Sequence, residues 1–98
     1  MMSKPRYGWW GYVKDMIRRY PDDVNENEKN AVDAAIEITE RMPNGQARLK
    51  VIDLVLWSET HRIPGAALEV PCSDRTAWRW QSTFIKDTAK NFKCEGLF

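Results

Sequence analysis

The sequence predicts an all-α fold, a small bundle of about five helices that ends in a C-terminal helix-turn-helix. Apolar residues recur three or four positions apart along most of the chain, which is the period of an amphipathic helix. Proline and glycine interrupt this pattern between the periodic stretches. No stretch as long as a typical strand alternates strictly between apolar and polar residues.

Length and composition fit one domain. The chain has 98 residues, of which 43% are hydrophobic and 30% are charged, as in an ordinary globular protein. No apolar run approaches the roughly 20 residues of a membrane span, and the first residues lack an apolar signal core, so we expect a cytoplasmic protein outside the membrane. We assign residues 1–45 to N-terminal helices that are a candidate oligomerisation part, and residues 46–98 to the DNA-binding part.

Charge is distributed unevenly, although the formal net charge is only +1. Residues 1–20 carry five basic and one acidic side chain, which gives +4. Residues 21–45 carry two basic and seven acidic side chains, which gives −5, and residues 46–98 carry eight basic and six acidic ones, which gives +2. Because the acidic middle would repel phosphate, only the two ends could approach DNA.

The first helix is predicted over Tyr7–Tyr20 and ends at Pro21, since proline disfavours helical geometry in the residue before it. Trp10 lies off the main apolar stripe, so it is either an exposed interface residue or part of a wider buried face. This aromatic helix is our candidate for a homodimer interface. The interface residues would be Trp9, Trp10, Val13 and Ile17.

The second and third helices form the middle of the chain. The second is predicted to begin at Asn25 or Asn27 and to end at Met42, with an acidic start and with Asp33, Glu37 and Glu40 on a solvated face. After a turn at residues 43–45, the third is predicted over Gln46–Ser58 and is the most apolar, so it should form the centre of the core. Arg48 and Lys50 could face either a phosphate or the acidic second helix, and we favour the second helix.

The helix-turn-helix is predicted over residues 63–92. A short helix starts near Pro64, because proline suits a first helical turn, and Pro71 stops it at a position where the usual motif has glycine. Ser73 is placed to cap a longer helix from Asp74 to about Asn91. The inner stripe of that longer helix consists of Ala77, Trp80, Phe84 and Thr88.

The outer face of the longer helix is the candidate DNA-binding surface. A recognition helix presents its N-terminal residues to base edges, and arginine can donate two hydrogen bonds to guanine. The residues predicted to contact bases are Asp74, Arg75, Trp78, Arg79 and Ser82. The residues predicted to contact phosphate are Ser73, Thr76, Lys86 and Lys90.

Residue patterns for catalysis are absent from the sequence. His61 is the single histidine, and it stands without cysteines or carboxylates at metal-ligand spacing. A serine or cysteine triad would depend on His61 with only Glu59 nearby to orient it. There is no glycine-rich phosphate loop and no nucleophile elbow. We therefore expect no enzyme activity, no cofactor and no metal ion.

A resemblance to known proteins rests on three segments. The C-terminal THRIPGAALEVPCSDRTAWRWQSTFIKDTAK resembles region four of bacterial sigma factors, which contacts the −35 promoter element. Together with WWGYVKDMIRRYP and MPNGQARLKVIDLVLW, it resembles small phage and prophage transcription regulators of the late-gene activator type (ArpU-like and RinA-like). The resemblance implies sequence-specific binding of double-stranded promoter DNA and contact with RNA polymerase.

Two alternatives remain beside a transcription regulator. The small subunit of a phage DNA-packaging terminase also carries a helix-turn-helix, but it assembles as a ring. A protein-interaction module would dock on RNA polymerase without touching DNA, and an exposed Trp78 would suit such a role because tryptophan is a frequent interface anchor.

Overall fold

Helices make up the regular structure of residues 10–92, the part of the chain that the computed structural model describes. They are α1 (Trp10–Arg19), α2 (Glu26–Glu40), α3 (Gly45–Ile52), α4 (Ile63–Glu69) and α5 (Asp74–Asn91). No strand occurs in this part of the chain. The prediction of a small all-α bundle is therefore confirmed.

The start of α2 is fixed by a reciprocal pair of hydrogen bonds. The Asn25 side chain accepts from the backbone N–H of Glu28 at 2.8 Å, and the Glu28 carboxylate accepts from the backbone N–H of Asn25 at 3.0 Å. This capping box satisfies two N–H groups that the first helical turn leaves without partners. It decides between the two predicted starting points in favour of Asn25 as the cap.

The turn between α2 and α3 depends on a glycine. Asn44 has a φ of 62°, in the left-handed region, and Gly45 is buried. A Cβ atom on Gly45 would lie 2.7 Å from the carbonyl oxygen of Thr39 and 2.9 Å from that of Glu40. Since both neighbours are backbone atoms, a larger residue at this position would push α3 away from α2.

A π-helical turn over Asp53–Trp57, here called the π segment, continues α3. The Trp57 indole Nε1 donates to the carbonyl oxygen of Ile17 in α1 at 2.8 Å. The same ring meets Phe84 of α5 edge-on, with centroids 5.9 Å apart. The π segment thus joins α1 to α5. The helix predicted over Gln46–Ser58 is therefore present, but its second half is π-helical.

Helix α5 contributes to both apolar clusters of the core. The larger cluster draws on α1, α2, the end of α3 and the π segment, and α5 adds Phe84 and Ile85 to it. The smaller cluster lies between α3, α4 and the first turns of α5, where Ala77 and Trp80 are buried. Because burial of apolar area is the main stabilising contribution, α5 is the helix on which the bundle depends most.

Helix α1 packs on its own chain, with Val13 and Ile17 fully buried in the larger cluster. Neither side chain is available on the surface, so they do not fit the predicted homodimer interface. Trp10 is half-buried against the same cluster, and Trp9 lies outside the described residues. A dimer that used Val13 and Ile17 would have to draw α1 out of this core.

Polar side chains tie α1 to α2. The Tyr12 hydroxyl donates to the carboxylate of Glu28 at 2.5 Å, and the Arg19 guanidinium lies 3.5 Å from the same carboxylate. The Tyr20 hydroxyl donates to Asp33. Two acidic residues of α2 therefore hold α1 and the residue that follows it. Of these two, Asp33 was predicted to lie on a solvated face.

No helix between residues 10 and 92 combines the length and the apolar character that a membrane crossing requires.

Candidate nucleic-acid interface

Small residues bring α4 and α5 together as a helical hairpin. Ala66 and Ala67 of α4 are buried against Ala77 of α5. The helix α4 ends one residue before Val70, which is extended with φ −112° and ψ 95°. Pro71 explains this ending, because the residue before a proline is disfavoured in helical geometry. The turn predicted at Pro71 is confirmed.

Ser73 begins the second helix of the hairpin, as predicted. Its hydroxyl oxygen accepts from the backbone N–H of Thr76 at 3.0 Å, and the hydroxyl donates to the Thr76 side-chain oxygen at 2.9 Å. The structure gives α5 the bounds Asp74–Asn91, which are those that the sequence predicted. Since the Ser73 hydroxyl is engaged in capping, Thr76 is the better placed of the two to donate to a phosphate.

The residues predicted to contact bases lie on one side of the first half of α5. Asp74, Arg75 and Arg79 are exposed, and Trp78 is 47% exposed, an unusual fraction for a tryptophan. Ser82 is half-buried at the far end of this group. The structure thus brings the predicted set together on one accessible face.

The opposite side of α5 anchors the helix. The predicted inner stripe is confirmed, because Ala77, Phe84 and Thr88 are at most 1% exposed and Trp80 is 9% exposed. The Thr88 hydroxyl donates to the carbonyl oxygen of Phe84 at 2.9 Å, which satisfies a buried polar group inside the helix. An anchored inner face leaves the outer face free to act as a rigid surface.

Two lysines extend the exposed face toward the end of α5. Lys86 and Lys90 are both exposed, and both were predicted to contact phosphate. Lys90 lies in the last turn, where a positive charge also interacts favourably with the helix dipole. The lysines follow the arginines along one helix, so positive charge runs over most of its length.

Trp10 of α1 lies beside the candidate interface. Its ring centroid is 6.2 Å from that of Trp78, and the two ring planes are inclined by 47°. Such tilted aromatic pairs are attractive beyond the area that they bury. The contact places the beginning of α1 at the edge of the face formed by α5. The sequence indicated both tryptophans as unusual but gave no sign that they meet.

Arg48 lies against α5 and not against acidic α2, so its predicted position is wrong. Its guanidinium carbon is 5.6 Å from the centroid of the Trp80 ring, and its Nε donates to the carbonyl oxygen of Pro43 at 3.0 Å. Nearby on α5, burial raises the pKa of Asp87 above its usual range, and the charges of Lys90 and Arg48 oppose this effect. One Asp87 carboxylate oxygen is buried without a hydrogen-bond partner among the described residues.

His61 and Cys72 are residue types that can carry chemistry, and both lie near the helical hairpin. No group of three or more histidine, cysteine or acidic side chains among residues 10–92 is arranged to hold a metal ion. The His61 imidazole contacts the hydroxyl of Thr60 at 2.8 Å and the carboxylate of Glu69 at 3.9 Å. Cys72 is a half-buried free thiol that packs against the smaller apolar cluster.

No model of a known protein family matches this chain, and neither a curated protein nor a solved structure is significantly similar to it.

Proposed function

We propose that the protein is a sequence-specific DNA-binding transcription regulator of the phage or prophage type, and that α5 lies in the major groove of double-stranded DNA. The observation that carries this proposal is the division of α5. Arg75 and Arg79 are exposed one turn apart at its beginning, whereas the inner side of the same helix is buried. A recognition helix needs both features, a buried side that anchors it in the fold and exposed N-terminal residues that can contact base edges.

The spacing of the two arginines suits base recognition. Four residues of α-helix rise about 6 Å, which corresponds to about two base-pair steps of roughly 3.4 Å each. Neither Arg75 nor Arg79 forms an ion pair with an acidic residue among residues 10–92. Both guanidinium groups can therefore donate to guanine in pairs of hydrogen bonds.

Affinity should be moderate for a single copy of the chain. Only α5 and its neighbours carry positive charge toward DNA, and the acidic stretch of residues 21–45 would be repelled by phosphate. One short reading surface seldom discriminates enough by itself, so we propose binding as a homodimer to a repeated or inverted site. The resemblance to late-gene activators further suggests RNA polymerase as a partner.

Fluorescence anisotropy tests the proposal. Wild type and an Arg75→Ala/Arg79→Ala variant are titrated against labelled duplexes of random sequence and of sequence from upstream of the native operon. We expect tighter binding to the upstream duplex, and loss of that preference in the variant. Absence of binding to either duplex by folded protein at low salt would exclude direct DNA recognition.

Exposed apolar side chains favour a second candidate, a module that docks on RNA polymerase. Trp78 is 47% exposed and Leu68 on α4 is 83% exposed. Large apolar side chains in such positions are frequent anchors of protein interfaces. In that case Trp78→Ala would abolish polymerase binding, and the Arg75→Ala/Arg79→Ala variant would bind polymerase like wild type.

A further inference from the structure

We infer that α1 is a second DNA-binding element, in which Lys14 and Arg18 contact the phosphates of the duplex that α5 occupies. This inference rests on the proposed function and adds to it a surface outside the helix-turn-helix.

The contact between two tryptophans positions the basic row. Trp10 packs on Trp78 at the edge of the face that α5 presents. Residues four apart in a helix lie on the same side, with Cβ atoms about 6 Å apart. Trp10, Lys14 and Arg18 therefore form one row along α1, and this row begins at the recognition helix.

The row is held rigidly with respect to α5. On the other side of α1, Val13, Met16 and Ile17 are fully buried in the larger apolar cluster. The hydrogen bond from Trp57 to the carbonyl oxygen of Ile17 also holds α1 against the π segment. Because the backbone of α1 is already fixed, a phosphate contact would order only the side chain that makes it.

The charges of this row lack acidic partners within the described part of the chain. Asp15, the acidic residue of α1, pairs with Arg19 at 2.9 Å, and Arg19 also approaches Glu28. Neither Lys14 nor Arg18 has such a pair among residues 10–92. Lys14 is half-buried, and the pKa of its ammonium group is lowered first by this burial and then by the positive charge of Arg18.

A phosphate between or beside these two groups would relieve their repulsion. Arg19 has a carboxylate one turn away, that of Asp15, which neutralises its charge. Lys14 and Arg18 have no such ion pair among residues 10–92. Phosphate contacts position a protein on the duplex without specifying sequence. Lys14 and Arg18 would thus align α5 in the groove, and Arg75 and Arg79 would distinguish the bases.

The salt dependence of DNA binding tests this inference. The test variant is Lys14→Gln/Arg18→Gln. Its matched control is Lys29→Gln/Arg41→Gln, which also removes one lysine and one arginine. Lys29 lies in the acidic helix α2, and Arg41 is the residue that caps its C-terminal end. Each is compared with wild type on upstream and random duplexes by anisotropy at several salt concentrations. Circular dichroism verifies that each variant is folded.

We expect the test variant to bind both duplexes more weakly by a similar factor. Affinity falls as salt rises, and each lost phosphate contact makes the slope of log affinity against log salt less steep by about 0.9. Between 50 and 200 mM salt, the affinity of wild type should therefore fall about tenfold more than that of the test variant, on the basis of two contacts. The control should keep the wild-type slope. The single variant Arg18→Gln, at an exposed position, should show about half of the change in slope if the double variant is unfolded.

Two results would overturn the inference in distinguishable ways. If the test variant keeps the wild-type salt slope, or loses no more affinity than the control variant does, Lys14 and Arg18 of α1 do not contact the phosphates. The proposed function would then still stand on Arg75 and Arg79. If folded wild type binds no duplex at low salt, the proposed function fails and the role of α1 fails with it.

Discussion

The two halves of α5 have the same backbone geometry but different surroundings. The first half, residues 74–82, exposes Arg75, Trp78 and Arg79 on its outer side. The second half, residues 83–91, is embedded among the other helices through side chains that are almost completely buried. These buried side chains are Phe84, Ile85, Thr88 and Ala89.

The difference shows how a helix of a small protein can expose a polar, basic surface and still be anchored in the core. The buried side chains of the second half add to those of Ala77 and Trp80 in anchoring the helix, so the outer side of the first half need not pack against other helices. Substitutions of the buried side chains in the second half should therefore change stability, and substitutions on the outer side of the first half should change binding. Each of the following changes tests one side of this division.

The largest effect is expected from Phe84→Ala in the second half. Phe84 is 1% exposed and its ring meets Trp57 edge-on. Removal of such a ring should lower the free energy of unfolding by about 3–5 kcal/mol. Urea unfolding followed by circular dichroism measures this change. Lys86→Ala, at an exposed position two residues later, should stay close to wild type. A loss below about 1 kcal/mol for Phe84→Ala would show that the second half is not the anchor.

The next largest effect is expected from Arg79→Lys in the first half. Lysine keeps the charge but lacks the planar pair of donors that matches guanine. Affinity for the upstream duplex should fall about tenfold, within the roughly 1–3 kcal/mol that a bidentate contact contributes. Affinity for random DNA and the unfolding midpoint should stay unchanged. Equal weakening on both duplexes would place Arg79 at a phosphate instead.

A smaller effect on stability is expected at the start of the helix from Ser73→Ala. The hydroxyl of Ser73 caps α5 by accepting from the backbone N–H of Thr76. Loss of such a cap costs about 1 kcal/mol of unfolding free energy. Ser82→Ala, a change of the same kind inside the helix, is the control and should not lower the urea midpoint. Equal midpoints for both variants would mean that the cap contributes nothing.

The smallest effect is a pH dependence from Asp87 in the second half. Burial raises the pKa of this carboxyl in the folded state, so its charged form opposes folding. Below the usual carboxyl pKa the group is protonated in both states, and stability falls as the pH rises through the raised folded-state pKa. Asp87→Asn should therefore have a slightly higher melting temperature than wild type at neutral pH, and this difference should shrink in acid. A difference that is constant with pH would contradict the burial of that charge.

Local sequence signals were enough to predict α5 and its turn. Pro71 ends the preceding helix, Ser73 caps the next one, and both effects act within a few residues. The inner stripe followed from helical period alone. A further local signal was overlooked, since Asn25 and Glu28 have the spacing of a capping box at the start of α2.

Contacts between distant residues were beyond what periodicity can predict. Trp10 and Trp78 were each recognised as lying off an apolar stripe, yet only the packing of α1 across α5 brings them together. The hydrogen bond from Trp57 in the π segment likewise reaches a carbonyl oxygen 40 residues earlier in the chain. Arg48 was assigned to acidic α2 by charge, but an aromatic ring on α5 holds it.

The most direct test of the division within α5 is a titration of isotope-labelled protein with duplex DNA, followed by backbone amide shifts in nuclear magnetic resonance spectra. A protein of 11.5 kDa is well suited to this measurement. We predict that the amides of residues 73–82 shift most, while those of α2 stay in place. Shifts that concentrate on α2, or that are absent at DNA concentrations far above those of the protein, would contradict the assignment of the first half of α5 as the DNA-binding surface.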